Sequence, residues 1–248
     1  MQDNNIFSNI DKSIETLGLG KNMIKSLRYW LNSLNIMNNG KMTIFGQILY
    51  EKDLYLENSN SIWILHWNLV KNMQNSTLYY LLFNKFYFNS FTKNELVFGI
   101  QKWLEYNNIK RFTEKTLISD CEVLIRLYTS EMGLLRELNL FNNSNRIYNL
   151  NITNRSEISD ELFLFIILDY IDIFYEKNIS TLSISDLQQG KISIQKSLLM
   201  SENSFYNKIH ILSKLTNGDI KYQESLGIRE LYIKNLPNKF DILKKIYD

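Results

Sequence analysis

Lys21, Asn22, Lys25 and Arg28 are the residues whose types and spacing best suit chemistry on an anionic partner. Separations of four and three put Lys21, Lys25 and Arg28 on one helical face. They lie in LGLGKNMIKSLRYWLNSLNIM, residues 17–37. There Met23, Ile24, Leu27, Tyr29, Trp30, Leu31 and Leu34 are apolar, and spacings of three and four put most of them on one stripe away from the cations. Gly18 and Gly20 bracket a turn, so the helix opens with free amides beside a lysine, a combination that suits a phosphate. The GxxxxGK[ST] spacing is absent, which excludes a nucleotide-binding P-loop. GKMTIFGQIL follows and predicts a short turn and strand, in the order of a winged helix-turn-helix module. A second helix-turn-helix candidate comprises FTKNELVFGIQKWLEY and the helix predicted over 113–128. Thr92 and Glu95 have the spacing of a capping box, and Arg111 and Lys115 lie near the start of the second helix. Lys21, Asn22, Lys25, Arg28, Arg111 and Lys115 together form the candidate nucleic-acid-binding set.

Cutting DNA takes clustered carboxylates around a divalent metal, or a nucleophile with its base. The carboxylate pairs are Asp169 with Asp172, Asp160 with Glu161, and Asp120 with Glu122. Asp169 and Asp172 share a helix face within an apolar segment. They suit either catalysis or ion pairing with Lys or Arg on the polar side of a buried helix. No PD…ExK, HNH or GIY-YIG pattern occurs, so no catalytic residue is assigned. Magnesium or manganese is expected only if the chain is a nuclease. The one cysteine, Cys121, excludes an internal disulfide and thiolate metal centres, and reads as a small core residue. The two histidines, His66 and His210, lie in separate segments and read as packed or surface side chains. Trp63, Trp67, Tyr79, Tyr80, Phe83, Phe86 and Phe88 could stack bases, but their helical spacing among Leu and Ile reads as core.

The elements that must position these residues are mostly helices. One proline, Pro237, and nine glycines leave long periodic stretches uninterrupted among 248 residues. Helices are predicted near 9–16, 21–34, 62–70, 77–88, 92–106, 113–128 and 160–175, with a short amphipathic one in the tail. IWILHWNLV is apolar nearly all round and predicts a buried helix. Residues 42–49 suit a strand or a short helix. Residues 139–159, rich in Asn and Ser, read as an exposed linker or hairpin. GDIKYQESLGIRELYI predicts two strands around a Ser-Leu-Gly turn, following two helices. The expectation is a mainly α protein with winged helix-turn-helix modules and short β-wings near 9–55 and 180–235. It divides into a helical domain over 1–138, a linker over 139–159 and a C-terminal domain over 160–248.

Composition is that of a globular chain: 45% hydrophobic, 22% charged, net charge +2. So weak a basic excess leaves DNA binding to a local face. Alanine is absent, which removes the best helix former and leaves helices dependent on tertiary packing. No stretch has the length and apolarity of a membrane span, and MQDNNIFSNIDK lacks the features of a signal peptide. A cytoplasmic protein is expected.

Several ordered blocks resemble one bacterial domain-of-unknown-function family, that numbered four thousand and seven. LGLGKNMIKSLRYWL is similar to its "LGVGKNMV…IRYW", and YLENSNSIWILHWNLV to "YLED…LWLLH". STLYYLLFNKF resembles a "WYFFFN" block and FTKNELVFGIQKWL resembles "FTKEEL". TEKTLISDCEVLIRLY is similar to "SEKSLKRDVDCLLRTY", and SENSFYNKIHIL and GIRELYI resemble the closing blocks. The resemblance covers most of 15–235. It implies a DNA-acting component of a bacterial phosphorothioation and phage-defence system. One branch of the family supplies the nicking component, beside a cysteine desulfurase, an ATPase and a phosphoadenosine-phosphosulfate-reductase-like protein. In the family a block like "F…R.GWLKKG" precedes the first motif by a few tens of residues. This chain starts too late to contain it, which implies a truncated start or a shortened branch and puts nicking in question. The alternative is a non-catalytic winged-helix adaptor or regulator that binds DNA and partner proteins.

Overall fold

The computed structural model describes residues 9–86, 88–110, 112–175 and 179–248. The chain starts with α1 (Ile10–Leu17) and α2 (Lys21–Ser33). Gly18 ends α1 in the left-handed conformation, φ 63°, and its N–H closes the last turn on the Ile14 carbonyl. A minimal antiparallel hairpin follows, β1 (Met37–Asn38) and β2 (Lys41–Met42). Thr43 then caps α3 (Ile44–Lys52) by accepting from the Gly46 N–H. Gly46 has no room for a side chain, because a Cβ there would collide with the Ile36 carbonyl oxygen. The 42–49 stretch is therefore helix over most of its length.

Two further units share one plan. The first runs through α4 (Ser59–Lys71), α5 (Thr77–Asn84), β3 (Ser90–Thr92), α6 (Lys93–Tyr106), α7 (Glu114–Thr129), β4 (Phe141–Ser144) and β5 (Ile147–Leu150). The second comprises α8 (Asp160–Phe174), β6 (Thr181–Ser183), α9 (Ile184–Gln189), α10 (Ile194–Ser197), α11 (Glu202–Leu215), β7 (Ile220–Ser225) and β8 (Ile228–Ile233). A last helix, α12 (Lys239–Lys245), closes the chain. The sheets have orders β3-β5-β4 and β6-β8-β7, all antiparallel. In each, a short strand before the intervening α-helices, two in the first unit and three in the second, adds to the outer side of the hairpin that follows them. Phe91 opposes Tyr148 in one, and Leu182 and Tyr222 flank Leu231 in the other. Such cross-strand pairs fasten the hairpin to the helices beneath it.

Of the two readings of residues 139–159, the structure has the hairpin, though not exposed throughout. These residues contain the β4–β5 hairpin, and Phe141, Arg155 and Ile158 within them are buried. Arg155 is 2% exposed with a left-handed backbone, φ 49°. Its guanidinium donates to the carbonyls of Leu138, Asn151, Leu198 and Leu199 and lies over the Trp63 ring. It also meets Glu157 at 3.3 Å. Near the N-terminus, the described residues of 9–55 pair only two-residue strands, whereas the three-stranded plan occurs over 77–150 and 160–233.

One apolar cluster runs from Leu34 to Leu243 through both units. Every residue of α4 from Ser61 to Val70 is buried, and so is α8 from Leu162 to Ile171. Such helices are stable here because they lie inside the protein, which offsets the missing alanines. Helix starts are capped in sequence-legible ways: Thr92 and Glu95 form the reciprocal box, and Thr113 and Ser159 accept from Thr116 and Leu162. Among the described residues no helix is long and apolar enough to cross a membrane.

Candidate nucleic-acid interface

Helix α2 holds Lys21, Asn22 and Lys25 exposed and Arg28 half-buried. Arg28 lies at a small hollow formed with Leu31, Asn32, Met37 and Gly40, where the β1–β2 turn meets the helix. No acidic partner of Lys21, Lys25 or Arg28 occurs among the described residues, in contrast to the paired Lys52, Lys93 and Lys102. A solvated cluster of one sign without local neutralisation attracts phosphate. Lys115 is also exposed, one position after the start of α7. Arg111 lies outside the described residues.

The apolar side of α2 corrects the expected stripe. Ile24 is fully buried, but Met23 and Tyr29 are 59% and 43% exposed, and Leu27, Trp30 and Leu31 are only half-buried. The helix sits at the edge of the core, with α5, α6 and α7 beyond it. An open groove of about 810 Å³ lies between these four helices, lined by Tyr29, Trp30, Tyr79, Trp103 and Phe112. The Trp30 ring meets Tyr29 and Tyr79 edge-on, at 5.3 and 6.3 Å between centroids. The same groove contains one carboxylate, Asp120. It has no hydrogen-bond or ionic partner among the described residues, and desolvation by its surroundings raises its carboxyl above the usual range. Burial also raises the Tyr29 phenol, and the Asp120 charge adds to that rise.

Asp169, Asp172, Asp160 and Glu122 are committed to structure. Asp169 is buried in α8 and accepts from Trp67 Nε1 at 2.7 Å, Lys71 Nζ at 2.5 Å and Lys239 Nζ at 2.9 Å. Lys239 also reaches Asp172 at 2.8 Å. Burial alone would push the Asp169 carboxyl up; the two ammonium groups overcome it and hold the carboxyl at about 2. Asp160 pairs with Lys208 at 2.6 Å and Glu122 with Lys93 at 2.7 Å. Sequence reasoning found the Asp169–Asp172 pair but not its partners, which come from α4 and α12.

Both histidines are accounted for without a metal. His66 is buried, with Nε2 2.6 Å from the Ser197 carbonyl and Nδ1 2.9 Å from the Tyr128 hydroxyl. The carbonyl only accepts, so Nε2 carries the proton and Nδ1 accepts from Tyr128. Burial lowers this imidazole to about 4. His210 is exposed, with its ring edge on Tyr222. Cys121 is buried, and that burial pushes its thiol up to about 12. No group of three or more His, Cys, Asp or Glu able to hold a metal ion occurs among the described residues. The aromatics from Trp63 to Phe83 are core, as expected, whereas the open aromatic groove uses Tyr29, Trp30, Trp103 and Phe112.

The sequence matches the model of one family, described as a protein of unknown function (DUF4007), over residues 1–247. No curated protein matches. Two crystal structures share the fold. One is described as SspB, with a TM-score of 0.86, 20% identity, and coverage of 100% of this chain and 82% of that one. The other is described as magnesium ion-bound SspB, with a TM-score of 0.85, 20% identity, and coverage of 100% and 81%.

Proposed function

The chain belongs to the DUF4007 family, and on that premise we propose that it is a DNA-binding component of a bacterial phosphorothioation and phage-defence system. The family resemblance implies that pathway, and the fold shared with SspB supports it. The observation that carries DNA binding is the α2 face. Lys21, Lys25 and Arg28 stand together without an acidic partner among the described residues, beside Asn22 and the open amides of a helix start. The units over 77–150 and 160–233 are read as winged-helix modules. Their order of helix, strand, two or three helices and hairpin supports that reading, with the early strand on the outer side of the hairpin. Lys115 would then stand at the start of the first module's recognition helix. The expected working partners are the cysteine desulfurase, ATPase and reductase-like proteins of the pathway, in the cytoplasm.

Nicking is not built on Asp169 and Asp172, because lysines already neutralise them. One relative in fold is described as magnesium-bound, so magnesium, then manganese, is the metal to supply in a cleavage assay. The test has two parts. Fluorescence anisotropy with labelled duplex should show saturable binding that weakens in Lys115→Ala. Supercoiled plasmid incubated with purified protein and either metal then separates the nickase from the adaptor. Open circles formed in proportion to protein favour the nickase. Binding without cleavage under both metals favours the adaptor. No binding to any duplex at low salt would remove the proposal.

A further inference from the structure

The aromatic groove borders the basic face of α2. Lys25 stands one helical turn before Tyr29 and Arg28 directly precedes it on α2, and Lys115 lies on α7, which also supplies Leu117 and Asp120 to the opposite wall. Cations therefore flank a cleft whose interior is aromatic and whose one charge among the described residues is negative. A phosphate is drawn to the rims and repelled from the interior, while a planar neutral ring with a hydrogen-bond donor on its edge suits the interior.

A core role does not explain this cleft. Tyr29 is 43% exposed, Trp30 and Trp103 are half-buried, and Asp120 is the unpartnered acid described above. Its helix neighbour Glu122, by contrast, has Lys93. We propose that the cleft between α2 and α7 takes an unpaired nucleobase of the bound DNA, stacked on Trp30 or Trp103, with Asp120 accepting from the base's amino group. The inference rests on the DNA-binding reading and adds the substrate form: a single strand, or a nucleotide turned out of the duplex. Stacking tolerates any base, so the carboxylate sets the preference. Cytosine offers an exocyclic amino donor to a carboxylate. Thymine presents carbonyls on either side of its single imino donor and is disfavoured.

The test uses the full chain with single-stranded oligo-dC and oligo-dT, read by tryptophan fluorescence and by competition against a labelled oligonucleotide. Trp63 and Trp67 are fully buried, so quenching reports Trp30 and Trp103. Oligo-dC should quench and bind more tightly than oligo-dT. Trp103→Leu should weaken oligo-dC by roughly tenfold or more. Asp120→Asn, a substitution of an exposed side chain with no hydrogen-bond or ionic partner among the described residues, should erase the preference for dC while leaving the circular dichroism spectrum unchanged. Binding without quenching, and with Asp120→Asn neutral, would discard the cleft and leave the basic face standing. Failure of both oligonucleotides and duplex to bind would discard both. A short arginine-bearing peptide that quenches the wild type but not Asp120→Asn, and displaces no DNA, would assign the cleft to a cationic protein segment instead.

Discussion

Replacing Asp169 by Asn should cost this protein several kilocalories, and the cost should fade with acid. The carboxylate is 7% exposed, and it holds Lys71 of α4 and Lys239 of α12, which are 14% and 19% exposed. The variant leaves two shielded ammonium groups facing a neutral amide. Breaking a buried pair from one side costs about 3–5 kcal/mol; at about 3 kcal/mol the Tm falls by roughly 6–12 °C for a chain of this size. The carboxyl lies at about 2 in the folded protein against 3.8 ordinarily. Its folded value is depressed, so the stabilisation is complete above about pH 4 and is lost as pH falls through 2. The span is worth roughly 2–3 kcal/mol. Urea unfolding of wild type and Asp169→Asn from pH 7 down to 2 should show a gap that narrows by that amount, almost all of it below pH 4. Asp248→Asn, which removes an exposed pair with Lys52, should change little. A variant as stable as wild type at pH 7, or a gap constant across the acid range, would refute the ion-pair reasoning and reopen Asp169 to other roles.

Three further outcomes follow from buried contacts. Arg155→Met should destabilise by roughly 3 kcal/mol or more, because it strips the donor from four backbone carbonyls at once; chemical denaturation measures it. His66 is neutral above its ordinary pKa of 6.5 and lies at about 4 in the fold, so acid penalises the folded state increasingly between those values. The stability of wild type relative to His66→Gln should therefore drop by about 3 kcal/mol from pH 7 to 4. Gly46→Ala should lower the Tm despite alanine's helix propensity, because its methyl meets the Ile36 carbonyl; thermal scanning decides.

Local rules carried most of the helices. Thr92 with Glu95, Thr113 and Ser159 mark starts that the structure places within a residue or so, and the unbroken apolar run around Trp63 did indicate a helix inside the protein. The strands β3 and β6 were not legible. Each is three residues long and runs directly into a helix, and its partner strand lies more than forty residues away. Arg155 was hidden by its company: Asn and Ser neighbours suggest solvent, while the acceptors that bury it come from three separate segments. The α2 cations could be read because four-and-three spacing is local. The groove behind them could not, since α5, α6 and α7 supply most of its wall. Periodicity puts Trp30 opposite Lys21 and Lys25 and Tyr29 one turn after Lys25; it does not show that the space they border is open.

The most direct measurement is the salt dependence of duplex affinity for wild type and for the Lys21→Ala, Lys25→Ala, Arg28→Ala triple variant. Each phosphate contact adds about 0.9 to the magnitude of the log–log slope for duplex DNA. Three lost contacts should flatten it by roughly 2.7 and weaken binding most at low salt. A triple variant with the wild-type slope and affinity would contradict the claim that this face of α2 holds DNA.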